Sequence, residues 1–163
     1  MKKTLILVRH AKSSWKFPEL NDFERPLNGR GKQAIPLMAK RLLESGLSPQ
    51  LFISSPAKSA KLTCEGFAKS LHINDIKYDQ SLYHAGASEL INCVKSVDNV
   101  INVVALFGHN PGMTDFANQL TNTYLDNLPT CGIFACRLEI DDWNEFSLEK
   151  GEFLLFDYPK RIV

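Results

Sequence analysis

Leu5-Ile-Leu-Val-Arg9-His10-Ala-Lys-Ser13-Ser-Trp15 is the stretch that decides the fold. Its four apolar residues predict a buried strand, which runs directly into a cation, an imidazole and a small polar turn. A strand ending in Arg-His places both side chains at the carboxyl edge of a sheet, where open α/β folds bind ligands. The chain returns to this theme twice. Leu51-Phe-Ile-Ser54-Ser55-Pro56 reads as a strand ending in hydroxyls, and Val103-Val-Ala-Leu-Phe-Gly108-His109-Asn110-Pro111 as a strand ending in a second histidine. Three such ends predict one pocket lined by groups suited to phosphate.

The segments between them fit that frame. Lys12 to Asn28 has no clean period and holds Pro18, Asn21, Asp22 and Pro26, so it is a loop. Arg30 to Leu43 carries a helical stripe at Ile35, Met38, Leu42 and Leu43; Pro36 should kink that helix or mark its true start, and Gly46 should stop it. A second helix follows Pro56, with Ala60, Cys64, Phe67, Ala68 and Leu71 inward. Ile76 to Tyr78 is a short strand. Ser88 to Val97 is a third helix, with Leu90, Val94 and Val97 inward. Ile101 to Phe107 is continuously apolar, the mark of a strand covered on both faces. Asn110 can cap a fourth helix with Pro111 at its first position, and Met113, Phe116, Ala117 and Leu120 give its apolar face. Phe134 to Ile140 alternates with period two, predicting a half-exposed, antiparallel strand. Asp141 to Asn144 is a turn, and Phe153 to Phe156 a last short strand. The order βαβα(β)αβαββ makes the class α/β with a mostly parallel sheet.

The totals narrow the function. At 163 residues the chain is read as one domain, 1–163, with 44% hydrophobic and 23% charged residues, enough to bury a core. A net charge of +1 supplies no global field to draw nucleic acid or an acidic membrane. No apolar run approaches the roughly 18–20 residues that span a bilayer. Met1 to Val8 resembles the start of a signal peptide, but Arg9 and His10 end the apolar run too early. Cys64, Cys93, Cys131 and Cys136 have neither C-x-x-C spacing nor the density of a disulfide scaffold, so buried thiols and a cytoplasmic address are expected. No coiled-coil seam or obvious exposed patch specifies an oligomeric state.

Arg9, His10 and His109 together suit phosphoryl transfer. A neutral imidazole is a nucleophile near neutral pH, because its ordinary pKa is about 6.5. Arginine keeps its charge, and its fork matches two phosphoryl oxygens. A second histidine adds a donor. Attack by His10 would form a phosphohistidine that water then hydrolyses. These cations supply the charge that a metal otherwise brings, so no cofactor is expected. Zinc would need a third ligand, and neither H-x-x-x-H nor C-x-x-C spacing provides one. His72 and His84 read as surface or loop residues.

Leu7-Val-Arg9-His10-Ala11-Lys12-Ser13-Ser14-Trp15 resembles the opening of the SixA-type phosphohistidine phosphatases, a branch of the phosphoglycerate mutase-like histidine phosphatase superfamily. The resemblance continues in order through Asp22 to Gly31, Ser54-Ser55-Pro56-Ala57, Gly108 to Gly112 and Leu128-Pro129-Thr130. It implies a three-layer α/β/α sandwich with one antiparallel strand, acting without metal. His10 would be the phosphorylated nucleophile, with Arg9 and His109 binding the phosphoryl group. Ser13 would lie beside the phosphate and Arg25 at the pocket mouth.

One position departs from the family pattern. Members usually read Ser-Pro-x-x-Arg-Ala-x-x-Thr after the second strand, and here Ser59 holds the place of the arginine. Losing such a charged donor costs roughly 10²–10³ in rate. Lys58, about 100° round the helix, could swing an ammonium into the gap, although it would not copy a bidentate fork; Lys61 is worse placed. The general acid is a second gap. Glu89 suits a helix start, where the dipole favours a carboxylate in any case; Asp22 and Glu24 are loop candidates. SixA-type members generally lack the usual acid, which suits a phosphoramidate, whose imidazole leaving group needs less help than an alkoxide. The expected function is dephosphorylation of phosphohistidine in a protein. The alternatives are a small-molecule phosphomonoesterase and, because of Ser59, a weakly catalytic phosphate-binding module.

Overall fold

A computed structural model describes residues 2–162. Its main elements are β1 (Lys3–Arg9), α1 (Gly29–Glu44), β2 (Leu51–Ser54), α2 (Lys58–Leu71), β3 (Ile76–Tyr78), α3 (Ala87–Lys95), β4 (Val103–Gly108), α4 (Gly112–Leu120), β5 (Ile133–Leu138) and β6 (Glu152–Asp157). The strands form one sheet in the order β3-β2-β4-β1-β5-β6. Neighbours from β3 to β1 pair in parallel, whereas β5 is antiparallel to both β1 and β6. Only β5 therefore runs against the rest, and the expected mostly parallel α/β sheet with one reversed strand is what the chain forms.

Alternate side chains of the central strands feed two cores. Leu5 and Leu7 of β1 and Val104 and Leu106 of β4 pack with Leu90, Val94, Met113 and Phe116 from α3 and α4. Ile6, Val8, Ala105 and Phe107 pack on the opposite face with Ile35, Met38, Cys64 and Phe67 from α1 and α2. Each strand is apolar at consecutive positions because each face has its own helical layer. The result is the three-layer sandwich.

Four local expectations need correction. The strand β5 is not half-exposed: Phe134 and Cys136 enter one core, and Ile133 and Ala135 the other. It lies between β1 and β6, under helices on both sides, and its small Ala135 fills a covered face. Pro36 is not the start of α1. Asn28 caps that helix, its Oδ1 accepting the Gly31 N–H at 2.8 Å, while Pro36 lies on an exposed side within the helix. Asn110 does accept from the Thr114 N–H (3.2 Å) and hydroxyl (2.9 Å), but Pro111 precedes the first residue of α4 instead of opening it. Two leucines assigned to apolar helix faces are not buried: Leu71 is half-buried and Leu43 exposed.

The parallel register positions the chemistry. Arg9 stands opposite Gly108 in the β1/β4 pair, so His10 and His109 are the first residues beyond two adjacent strand ends. The His10 N–H donates to the Gly108 carbonyl at 3.0 Å, which extends the ladder by one bond. Ser54 stands opposite Phe107, which brings Ser55 to the same edge. Because β5 is reversed, its leading turn, Leu128 to Gly132, closes over that edge. The Cys131 N–H donates to the Arg9 and His10 carbonyls, both at 3.0 Å.

Candidate active site

A pocket of about 320 Å³ opens at this carboxyl edge. Arg9, His10, Ser13, Arg25, Ser59 and His109, all singled out in the sequence, line it; so do Lys12, Trp15, Asp22, His84, Asn110 and Thr130. Lys58 does not. It is exposed at the start of α2 and faces a neighbouring hollow with Phe23, Lys61 and Glu65. Glu89 lies outside as well, its carboxylate accepting the Gly86 N–H at 2.9 Å as a helix cap.

His10 is fixed through its backbone neighbour. Its Nδ1–H donates to the Ala11 carbonyl at 2.7 Å, which sets the tautomer and leaves Nε2 as the free nitrogen with a lone pair. Ala11 is itself anchored, its N–H donating to Thr63 Oγ1 at 2.9 Å; that hydroxyl donates to the Ser59 carbonyl at 2.7 Å. The first two turns of α2 thus hold the segment carrying His10. On the other side, Gly31 of α1 packs so close that a Cβ there would collide with the Lys12 carbonyl oxygen.

His109 faces His10 with ring centroids 5.2 Å apart. Its Nε2 lies 2.9 Å from Ser55 Oγ, which also accepts the Ala57 N–H. Arg9 donates from Nη1 to the Leu128 carbonyl at 3.0 Å, while its buried Nε has no protein partner. Asn110 Nδ2 donates to the same carbonyl and to Asn127 Oδ1. The turn before β5 therefore locks the guanidinium and the residue after His109 with one oxygen.

Arg25 is 4% exposed. It donates to the Ser14 and Leu20 carbonyls and stacks its guanidinium 3.6 Å from the centre of the Trp15 ring. Those bonds tie the 12–28 loop into a wall, as does the bridge between Ser13 and Leu27. Opposite, Tyr83 and His84 lie at the mouth: Tyr83 packs on His109 and His84, and His84 Nε2 is 4.0 Å from Asp22 Oδ2. Gly112 admits this segment, since a Cβ there would strike the Ala85 carbonyl oxygen.

The electrostatics follow from crowding cationic groups in a half-buried space. Burial lowers the His10 pKa; the Ala11 hydrogen bond works against this and Arg9 with it. Burial, then His10, His84 and Arg9, pushes His109 down to about 3. Burial also lowers Arg9. The pocket thus favours two neutral imidazoles beside a guanidinium. A dianion placed among them would reverse the balance for His109 and favour its protonation. Ser59, 3% exposed, meets the pocket with a neutral hydroxyl-bearing side chain. Asp22, at the mouth, is the only carboxylate among the described lining residues. Among the described residues, no three of His, Cys, Asp or Glu gather to hold a metal ion, and no helix is long and apolar enough to cross a membrane.

Sequence reasoning passed over His84, read as a loop residue, and Asn110, read only as a cap. Lys12, Trp15 and Thr130 stood in quoted motifs without a role. The signal available was position: each follows the carboxyl end of a strand or leads into β5.

No family model matches the chain. It is 29% identical over 157 residues to an uncharacterised chloroplastic protein of Arabidopsis thaliana, covering 88% of this chain and 70% of that one. Among solved structures, the SixA protein of Agrobacterium tumefaciens superposes with a TM-score of 0.79 at 23% identity, over 96% of this chain and 98% of that one. The protein histidine phosphatase SixA complexed with tungstate superposes at 0.80 with 19% identity, over 96% and 97%. The fold is that of the SixA-type phosphohistidine phosphatases.

Proposed function

We propose that this protein is a phosphatase, independent of metal, that passes a phosphoryl group through His10 and takes it from phosphohistidine on a protein. The observation that carries the reading is the His10 ring: Nδ1 is tied to the Ala11 carbonyl at 2.7 Å, leaving Nε2 free in a pocket shared with Arg9 and His109. In the first step the Nε2 lone pair attacks phosphorus, the bond from phosphorus to the substrate's imidazole nitrogen breaks, and that nitrogen takes a proton from solvent water. In the second step water attacks phosphorus, its bond to Nε2 breaks, and inorganic phosphate leaves. Arg9, with its unpartnered buried Nε, and a His109 that takes a proton from solvent as the incoming dianion favours its charged form would stabilise the equatorial oxygens. Ser13 and Arg25 shape the wall.

The preference for phosphohistidine rests on what the pocket lacks. Among the described residues, Asp22 is the one carboxylate lining the pocket, and it sits at the mouth near His84. An imidazole leaving group tolerates that arrangement better than an alkoxide does. The pocket is also open, so the phosphorylated side chain of a larger molecule can enter it. Four free, buried thiols suit a reducing compartment, and the cytoplasm is the address we propose.

Ser59 favours a second reading, a phosphate-binding module with little turnover, because Lys58 does not supply the missing cation in this arrangement. Phosphate release from a phosphohistidine peptide and from an aryl phosphate, with native protein, His10→Ala and Ser59→Arg, separates the two. We expect the native protein to prefer the peptide and His10→Ala to be inactive. Retained activity in His10→Ala rejects the mechanism. An inactive native protein with an active Ser59→Arg variant supports the binding module.

A further inference from the structure

A second hollow, of about 590 Å³, shares Lys12 and Thr130 with the pocket. The hollows beside α2, beyond the end of β5 and beside β3 share no residue with it. Ala34 and Leu37 of α1 and Pro159 give this groove an apolar floor, and Lys12, Arg30 and Lys160 stand on it as exposed cations. No carboxylate of the described residues lines it. Among the described residues, none of the three cations has an ion-pair or hydrogen-bond partner for its side chain.

With 19 basic and 18 acidic residues in the chain, three unpaired cations on one groove are a local asymmetry, not a reflection of net charge. A phosphorylated side chain in the 320 Å³ pocket must leave the rest of its polypeptide outside. The basic groove adjoins the pocket and shares its wall through Lys12 and Thr130.

We propose that this groove receives an acidic segment flanking the phosphohistidine of the substrate protein. The inference rests on the phosphohistidine reading and adds the charge of the partner. Exposed lysine and arginine on flexible stems do not build a tight anion site; they favour several carboxylates spread along an extended segment, through a contribution that salt weakens. The apolar floor takes the stems of that segment.

The test compares phosphohistidine peptides with acidic and with neutral flanks, using native protein and the double variant Arg30→Ser/Lys160→Ser, neither residue lining the catalytic pocket. In the native protein KM should be lower for the acidic peptide. The double variant should raise KM for it about fivefold with kcat unchanged, leave the neutral peptide and phosphoimidazole unaffected, and lose its effect in high salt. Equal effects on both peptides, or none, overturn the proposal. Failure of the native protein to hydrolyse phosphoimidazole or either peptide would defeat the phosphatase reading instead. The groove is then still tested by titrating His10→Ala protein, with and without the double substitution, with the two intact peptides; equal affinities reject it.

Discussion

His10 and His109 face each other across 5.2 Å from adjacent strand ends. The spacing follows from the Arg9/Gly108 register and holds whichever ligand the pocket takes. Two imidazoles this close, beside Arg9, cannot both carry a proton cheaply, and burial adds to the cost.

The first consequence concerns activity. With the His10 pKa lowered chiefly by burial, the nucleophile stays deprotonated further into acid than an ordinary histidine. The acid limb of kcat/KM, which reports the free enzyme, should therefore fall below pH 6.5. A limb at or above pH 6.5 would show that His10 is not held in this way.

The second concerns stability, with the opposite partner. His109 titrates at about 3 in the folded chain and near 6.5 when unfolded. Between those values the unfolded state binds more protons, so stability present above pH 6.5 is lost as pH falls toward 3. His109→Gln removes this contribution. Urea midpoints measured from pH 7 to pH 4 should fall less steeply in the variant than in the native protein; parallel slopes would contradict the assignment.

The cysteines give a third test, independent of the site. Burial pushes the thiols of Cys64, Cys93, Cys131 and Cys136 up to about 12, and all four are free. A thiol reagent at pH 8 should modify none of them in the native protein and all of them in denaturant. Rapid labelling of any one before unfolding would place it outside the core.

The sequence was most legible where one local rule acts alone. The apolar runs ending in Arg9, Ser54 and Gly108 predict three strand ends at one edge, and a parallel sheet has no other way to use them. Period two at Phe134 to Ile140 correctly indicated a reversed strand but misjudged its exposure, because burial depends on neighbours that the pattern does not contain. His84 was passed over for a similar reason. Nothing local distinguishes a loop histidine facing solvent from one set at a pocket mouth by packing against Tyr83 and by the approach of Gly112 to Ala85. Ser59 was legible as an anomaly, whereas the failure of Lys58 to reach the gap depends on where the first turn of α2 points.

The next turn of that helix carries the last prediction. Thr63 Oγ1 accepts the Ala11 N–H at 2.9 Å, and Ala11 in turn accepts from His10 Nδ1 at 2.7 Å. Thr63→Val keeps the shape but leaves a buried N–H without an acceptor, which should cost about 1–3 kcal/mol of stability. It also frees the segment that orients His10, so activity should fall even where the protein is fully folded. Thr63→Ser, which keeps the hydroxyl, should restore most of that activity while losing a buried methyl. Urea unfolding and turnover on phosphoimidazole, measured on both variants, separate the contributions. If Val and Ser lose activity equally, the loss comes from packing, and the hydrogen bond from Ala11 to Thr63 does not position the nucleophile.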